Sequence, residues 1–246
     1  SLHSAYNHNA FNAYDTIFCS TENHIIECEK LFNKSKKKPI LFKHGYDRLL
    51  TLPPKNKNIN SKNKIVLISP SWGPSSLLMN KEKLSSLIEI LIDNNCEVIL
   101  RPHHMTLRTD KNYIDNLQKK FSKFNNFLLE KGNFNADSLA KADVLITDYS
   151  GVAFEYYFKY GGLVIFIDTG GLKINNINFK NINLPAFEII NRSKVGFLVN
   201  YENINEILLT IKNKSPKIYS NPIFNLKKSD KIAAKYVKDL FEKLSS

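Results

Sequence analysis

Three short polar clusters carry the residue types that phosphate and acid–base chemistry need. One is Arg101-Pro102-His103-His104. A guanidinium presents a planar fork of donors to phosphate oxygens, and an imidazole titrates near neutral pH. The second is Thr147-Asp148-Tyr149-Ser150-Gly151, and the third is Ser69-Pro70-Ser71-Trp72-Gly73-Pro74-Ser75-Ser76. An Arg, a His, an Asp and several Ser in such clusters suit an anionic, nucleotide-linked ligand. The turn at 69–76 contains neither GxGxxG nor GxxxxGK[ST], so the usual dinucleotide and P-loop readings fail. No Asp-x-Asp occurs in the chain, which argues for a site that holds its anion without a metal.

Each cluster follows an apolar run that reads as a buried parallel strand, at 64–68, 97–100 and 144–146. Pro102 blocks ladder pairing and fixes the turn beside it. A helix over 151–158, stopped by Gly161-Gly162, and a strand over 163–167 complete a βαβ unit around 142–151. In such units ligands bind beyond the carboxyl ends of the strands. The free N–H groups of a helix start at Ser150 would face a phosphate there. The competing reading is that Asp148 or Ser150 only caps the helix. Further helices are expected at 81–93, 111–121, 136–141, 203–212 and 231–244, further strands at 127–129 and 195–199, and a polar loop over 168–185.

Upstream, a strand at 14–19, a helix at 22–32 and a strand at 39–42 look like the tail of another α/β domain. Residues 52–63 are polar, carry Pro53-Pro54 and lack apolar periodicity, as a linker does. The expected organisation is therefore 1–51 as the tail of an N-terminal α/β domain, 52–63 as linker, and 64–246 as a C-terminal α/β domain. The abrupt opening without Met suggests a remnant of the first domain.

The 246 residues are 43% hydrophobic, ordinary for a soluble protein, and no apolar run approaches the roughly 20 residues that span a bilayer. There is no signal-peptide pattern. Cys19, Cys28 and Cys96 form no CxxC pair, so neither a zinc site nor a disulfide framework is expected, and the compartment reads as reducing and cytosolic. A net charge of +12 admits nucleic acid, an anionic membrane or a phosphorylated substrate as partner. Most of it is Lys interleaved with Asn, at 33–38 and 54–58, which reads as solvated loop. No RNA-recognition signature or zinc-finger spacing is present, so nucleic acid is not the expected partner.

Arg101-Pro102-His103 resembles the Arg-Pro-His-Pro motif of the CDP-glycerol glycerophosphotransferases, the teichoic acid primases and polymerases, with His104 replacing the second Pro. The stretch 143–150 resembles their Asp-x-Leu-Ile-Thr-Asp-Tyr-Ser-Ser motif, with Gly151 replacing the last Ser. His3-Ser4, Ala10-Phe11-x-x-Tyr14-Asp15, Gly45-Tyr46-Asp47-Arg48-Leu49 and Ser69-Pro70-Ser71-Trp72-Gly73 are similar to a bacterial wall- and capsule-polymer branch.

The resemblance implies an α/β, GT-B-like fold built on Rossmann-type doubly wound parallel sheets. It implies transfer of glycerol phosphate, or a similar polyol phosphate, from CDP-glycerol to a lipid-linked acceptor, with loss of CMP and no metal or other cofactor. It places the protein in the cytoplasm, peripheral at the inner membrane face, where the Lys stretches 34–38 and 55–64 meet anionic lipid. Arg101, His103, Ser150 and the helix start would hold the diphosphate, with Ser71, Trp72, Gly73, Thr147 and Gly151 completing the donor site. Asp148 or Glu155 would hold the ribose or orient His103; the plainer readings are a cap and a solvated helix carboxylate. Trp72 either covers the nucleotide or lids the core. His3, then His8, are the candidate bases beside His103 in the catalytic set, and His24 and His44 read as surface or loop histidines. Two other functions stay open. One is a GT-B glycosyltransferase using a nucleotide sugar for capsule synthesis; the other is a non-enzymatic basic module binding polyanions or membrane.

Overall fold

The computed structural model describes residue 2 and residues 10–56, 63–132, 136–170, 180 and 182–245. The chain divides into two compact units. One comprises Ser1–Leu52, Ile174–Phe187 and Ser220–Ser246, the other Pro53–Lys173 and Glu188–Tyr219. The expected donor domain over 64–246 therefore differs from the observed division, because the chain leaves the second unit after Tyr219.

In the first unit, β1 (Thr16–Cys19) and β2 (Ile40–Lys43) pair in parallel and are joined through the helix Glu22–Leu31. Thr21 caps that helix by accepting the His24 N–H at 3.2 Å. The C-terminal helix Ser229–Ser245 belongs here for an aromatic reason. Its Tyr236 ring lies 4.1 Å from Phe42 and 5.7 Å from Phe18, and its hydroxyl shares a 3.1 Å hydrogen bond with Thr16 Oγ1.

The second unit is one parallel sheet of six strands. They are β3 (Ile65–Ile68), β4 (Glu97–Leu100), β5 (Phe127–Leu129), β6 (Val144–Thr147), β7 (Leu163–Asp168) and β8 (Phe197–Asn200). Both β3 and β6 are buried along their whole length, as their unbroken apolar runs require of strands covered on both faces. The helix Lys81–Asp93 covers one face with Leu84, Leu87, Ile88 and Leu91, all in the core and spaced to share one stripe. The spatial order β5-β4-β3-β6-β7-β8 reverses direction between β3 and β6. That reversal is a topological switch point, where a crevice opens outside the carboxyl ends. Ile68 pairs with both Leu100 and Ile146, so Ser69, Arg101 and Thr147 form the next row, at those ends.

Most expected elements are present, and the helix Val152–Tyr160 ends at Gly161 with φ +63°. Among the described residues, helices that the sequence pattern does not predict include Arg48–Thr51, His104–Thr109, and Phe187–Val195, whose last residue lies in the strand expected at 195–199. The expected linker also differs, since 53–56 is pinned to the second unit. Tyr160 OH donates to Pro53 O at 3.0 Å, Asn56 N–H donates to Ala140 O at 3.0 Å, and the Lys55 ammonium donates to Ala142 O beneath the Tyr156 ring. Among the described residues no helix is long and apolar enough to cross a membrane.

Gly45 follows β2 with φ +122°, and a Cβ there would stand 2.4 Å from Phe224 O and 2.8 Å from Ser229 Cβ. Both the dihedral and the backbone neighbour exclude a side chain. Gly45→Ala is expected to destabilise the first unit by about 1–3 kcal/mol, the range for a residue held in a sparsely populated region. A urea titration would read this as a lowered midpoint, and an unchanged midpoint would count against it.

Candidate functional site

The three polar clusters of the sequence fall at the carboxyl ends of β3, β4 and β6, adjacent strands that include the switch point. Asp148 is fully buried, and both its oxygens are used by backbone. Oδ1 accepts from Ser71 N–H at 2.9 Å and Tyr149 N–H at 2.6 Å, and Oδ2 accepts from Leu77 N–H at 2.8 Å. It therefore neither caps the following helix nor reaches a ribose; it ties the turn after β3 to the end of β6. Thr147, also fully buried, donates from Oγ1 to Ser69 O at 2.7 Å across the same seam. Both side chains are thus spent on the seam between the ends of β3 and β6.

The turn 69–76 is closed on itself as well. Ser76 Oγ donates to Ser71 O at 2.7 Å, and Gly73 takes φ +117°. Trp72 is 44% exposed, so it does not lid the core. Ser150 caps only weakly, since the Val152 N–H lies 3.4 Å from its Oγ, and Gly151 at the helix start makes no side-chain cap. The N–H groups of Ser150 and Gly151 have no acceptor among the described residues, and the space beside Gly151 is open. Glu155 lies in the first turn of that helix, partly buried.

Arg101 is held by two hydroxyls. Nε and Nη2 each lie 3.4 Å from Ser69 Oγ, and Nη1 donates to Ser138 Oγ at 3.1 Å. His103 caps the helix His104–Thr109: its Nδ1 accepts the Met105 N–H at 3.2 Å. Burial, and then His104 stacked 4.2 Å away, hold the His103 pKa below its ordinary value, while Asp148 opposes them. A neutral ring that accepts at Nδ1 carries its proton on Nε2, so the resting His103 is a one-sided donor.

His3 and His8 lie outside the described residues. His44, expected at the surface or in a loop, lies in the loop just after β2 but is buried there, with Nε2 3.3 Å from Asp47 Oδ2 and its ring 4.9 Å from Phe18.

Sequence reading missed Ser138, whose hydroxyl sits on a short helix without any motif, and a second polar group at the β6–β7 ends. There Tyr149 OH donates to Asp168 Oδ1 at 2.8 Å, which with the Gly170 N–H and nearby Arg192 holds the Asp168 carboxyl below its usual range. The buried Arg192 guanidinium lies 4.2 Å over the Tyr149 ring, with Nε and Nη1 unpartnered among the described residues. Tyr149 stood in a recognised motif, whereas Arg192 rides on a helix the periodicity did not reveal. Beside Asp168 lies a cavity of about 600 Å³ lined by Ser76, Lys81, Thr169 and Tyr201, in the size range of ligand pockets.

The switch point of a six-stranded parallel sheet, with Arg101, His103 and the helix start at Ser150 and Gly151 at its carboxyl ends, defines a Rossmann-type unit. The chain belongs to the CDP-glycerol:poly(glycerophosphate) glycerophosphotransferase family, whose sequence model matches residues 32–160. No curated protein matches the chain in sequence. Among solved structures it is similar to the UDP-GlcNAc 2-epimerase of Neisseria meningitidis bound to UDP-GlcNAc, at TM-score 0.59 and 15% identity over 92% of this chain and 62% of that one. It is similar to S. aureus MnaA in its UDP co-structure, at TM-score 0.58 and 16% identity over 92% and 60% of the two chains. The Methanocaldococcus jannaschii UDP-GlcNAc 2-epimerase complexed with UDP-GlcNAc and UDP gives TM-score 0.56 and 19% identity over 91% and 61%. The chain thus spans 60–62% of the length of these structures. The fold is of the expected GT-B-like, doubly wound class.

Asp148→Asn keeps the shape but replaces one acceptor oxygen with an NH2 that faces a backbone N–H. The expected loss is about 1.5–3 kcal/mol, the range for hydrogen bonds to a charged group. It should appear as a lower melting temperature with faster amide exchange at Ser71 and Leu77. Parent-like exchange at both amides would show that the carboxylate is not what holds the turn.

Proposed function

We propose that this chain carries the donor-binding part of a transferase that moves glycerol phosphate, or a similar polyol phosphate, from CDP-glycerol to a lipid-linked acceptor. The observation that carries this reading is that the Arg101–His103 and 143–150 motifs fall on the ends of β4 and β6, flanking β3 at the switch point. Family membership supports the same donor.

In this reading the acceptor hydroxyl attacks the glycerol-bearing phosphorus, the bridging P–O bond breaks, and CMP leaves with the electron pair. The hydroxyl proton passes to a base, for which His3 and then His8 are the candidates. Charge grows on the leaving phosphate. The Arg101 fork, the His103 Nε2–H and the N–H groups of Ser150 and Gly151 would stabilise it, so the protein's contribution is positioning and electrostatics. The contacts of Arg101 with Ser69 and Ser138 help aim the guanidinium, and a phosphate would give it charge-assisted bonds. A nucleotide-sugar donor is the second reading, favoured by the UDP and UDP-GlcNAc named for the similar structures.

Calorimetry with CDP-glycerol, UDP-GlcNAc, CMP and cytidine tests both. Arg101→Lys, which keeps charge but loses the fork, and His103→Ala should each cost roughly 1.5–3 kcal/mol of CDP-glycerol binding. His103→Ala should leave cytidine binding unchanged. Bound diphosphate favours the imidazolium that burial disfavours in the free protein. Binding therefore takes up a proton, and affinity should rise as pH falls toward and below the ordinary His value of about 6.5. Saturable UDP-GlcNAc binding with none of CDP-glycerol would replace the first reading by the second.

The acceptor side rests on charge. Lys34, Lys36 and Lys38 are exposed, and a basic residue near an anionic leaflet is worth about 1 kcal/mol. Sedimentation with anionic vesicles at low salt, lost at high salt, is the expected result; equal binding to neutral vesicles would count against it.

A further inference from the structure

Cysteine spacing gave no reason to expect a metal site, yet the first unit gathers Cys19, His24 and Cys28. Cys19 ends β1, while His24 and Cys28 stand four residues apart on one face of the helix Glu22–Leu31. One ligand atom from each lies within 4.8 Å of the other two. Tetrahedral zinc, at 2.3 Å from sulfur and 2.0–2.1 Å from nitrogen, sets its donors about 3.5–3.8 Å apart. The three side chains therefore need close by about 1 Å at most.

The surroundings suit such a complex. Both cysteines are 0% exposed and sit in an apolar cluster with Leu2, Ile17, Ile25 and Phe32. Two thiolates cancel the charge of a divalent ion, so the assembled centre is neutral and can stay buried where a free thiolate could not. His24, the partly exposed member, is the side from which an ion would enter. The described contact that competes for its imidazole is the Ser20 N–H, 3.3 Å from Nδ1, a long bond that a metal would outcompete.

We propose that Cys19, His24 and Cys28 form a binding site for a thiophilic divalent ion of the zinc type, which staples the end of β1 to the helix that follows it. The fourth position is left to water. The site lies in the first unit, and its success or failure is independent of the donor reading.

The test uses the full chain, reduced and stripped of metal by a chelator. Cobalt titration should give a thiolate-to-metal charge-transfer band saturating at one equivalent, and zinc should displace the cobalt. Zinc should also raise the melting temperature. Cys28→Ser and His24→Gln should each weaken zinc binding by more than about 100-fold, beyond the loss typical of an outer-shell partner. Cys96→Ala, in the second unit, should bind as the parent does. Should a variant not fold, the parent's stoichiometry and cobalt band decide alone. No charge-transfer band in the parent, or a band that persists in Cys28→Ser, would overturn the site.

Discussion

A single buried carboxylate sets the geometry on which the crevice depends. Asp148 sits at the end of β6, yet two of its three hydrogen bonds run to the turn that follows β3. A buried charge is tolerated only when its oxygens are satisfied, and three backbone donors do that. The consequence is mechanical. The loops on either side of the switch point are fastened to each other and cannot drift apart, which holds the Ser71 backbone and the Ser150 helix start in one frame.

The neighbouring strand is preset in a softer way. Arg101 contacts two serine hydroxyls at 3.1–3.4 Å, which help orient its guanidinium. His103 spends Nδ1 on capping a short helix, which determines the tautomer and turns a symmetric base into a donor through Nε2. Burial keeps that ring neutral until an anion arrives. Pre-orientation of this kind lowers the ordering cost of binding.

The first unit is organised by aromatic and sulfur contacts. Tyr236 against Phe42 and Phe18 draws the last helix back to the first two strands, while the Cys19–Cys28 pair packs the inner face of the helix between them.

Sequence alone determined the α/β class, the strands through 163–167, and the three polar clusters, because those signals are local. Apolar runs of strand length, helical spacing such as Leu84, Leu87, Ile88 and Leu91, and Gly161 as a stop are all written within a few residues of each other. The family motifs added Arg101, His103 and Ser150 as a candidate set. What tertiary structure decided was role. Asp148 and Glu155 read alike as candidate ribose ligands until folding buried Asp148 and surrounded it with N–H donors. His44 read as a surface or loop residue, and the fold enclosed its loop position between Phe18 and Asp47. Ser138 and Arg192 carried no spacing signal, and His24 and Cys28, though four residues apart, gave no sign that Cys19 joins them. Their partners come from other strands and helices, and a side chain's chemistry in a protein depends on those partners and on its burial, which chain closure alone supplies.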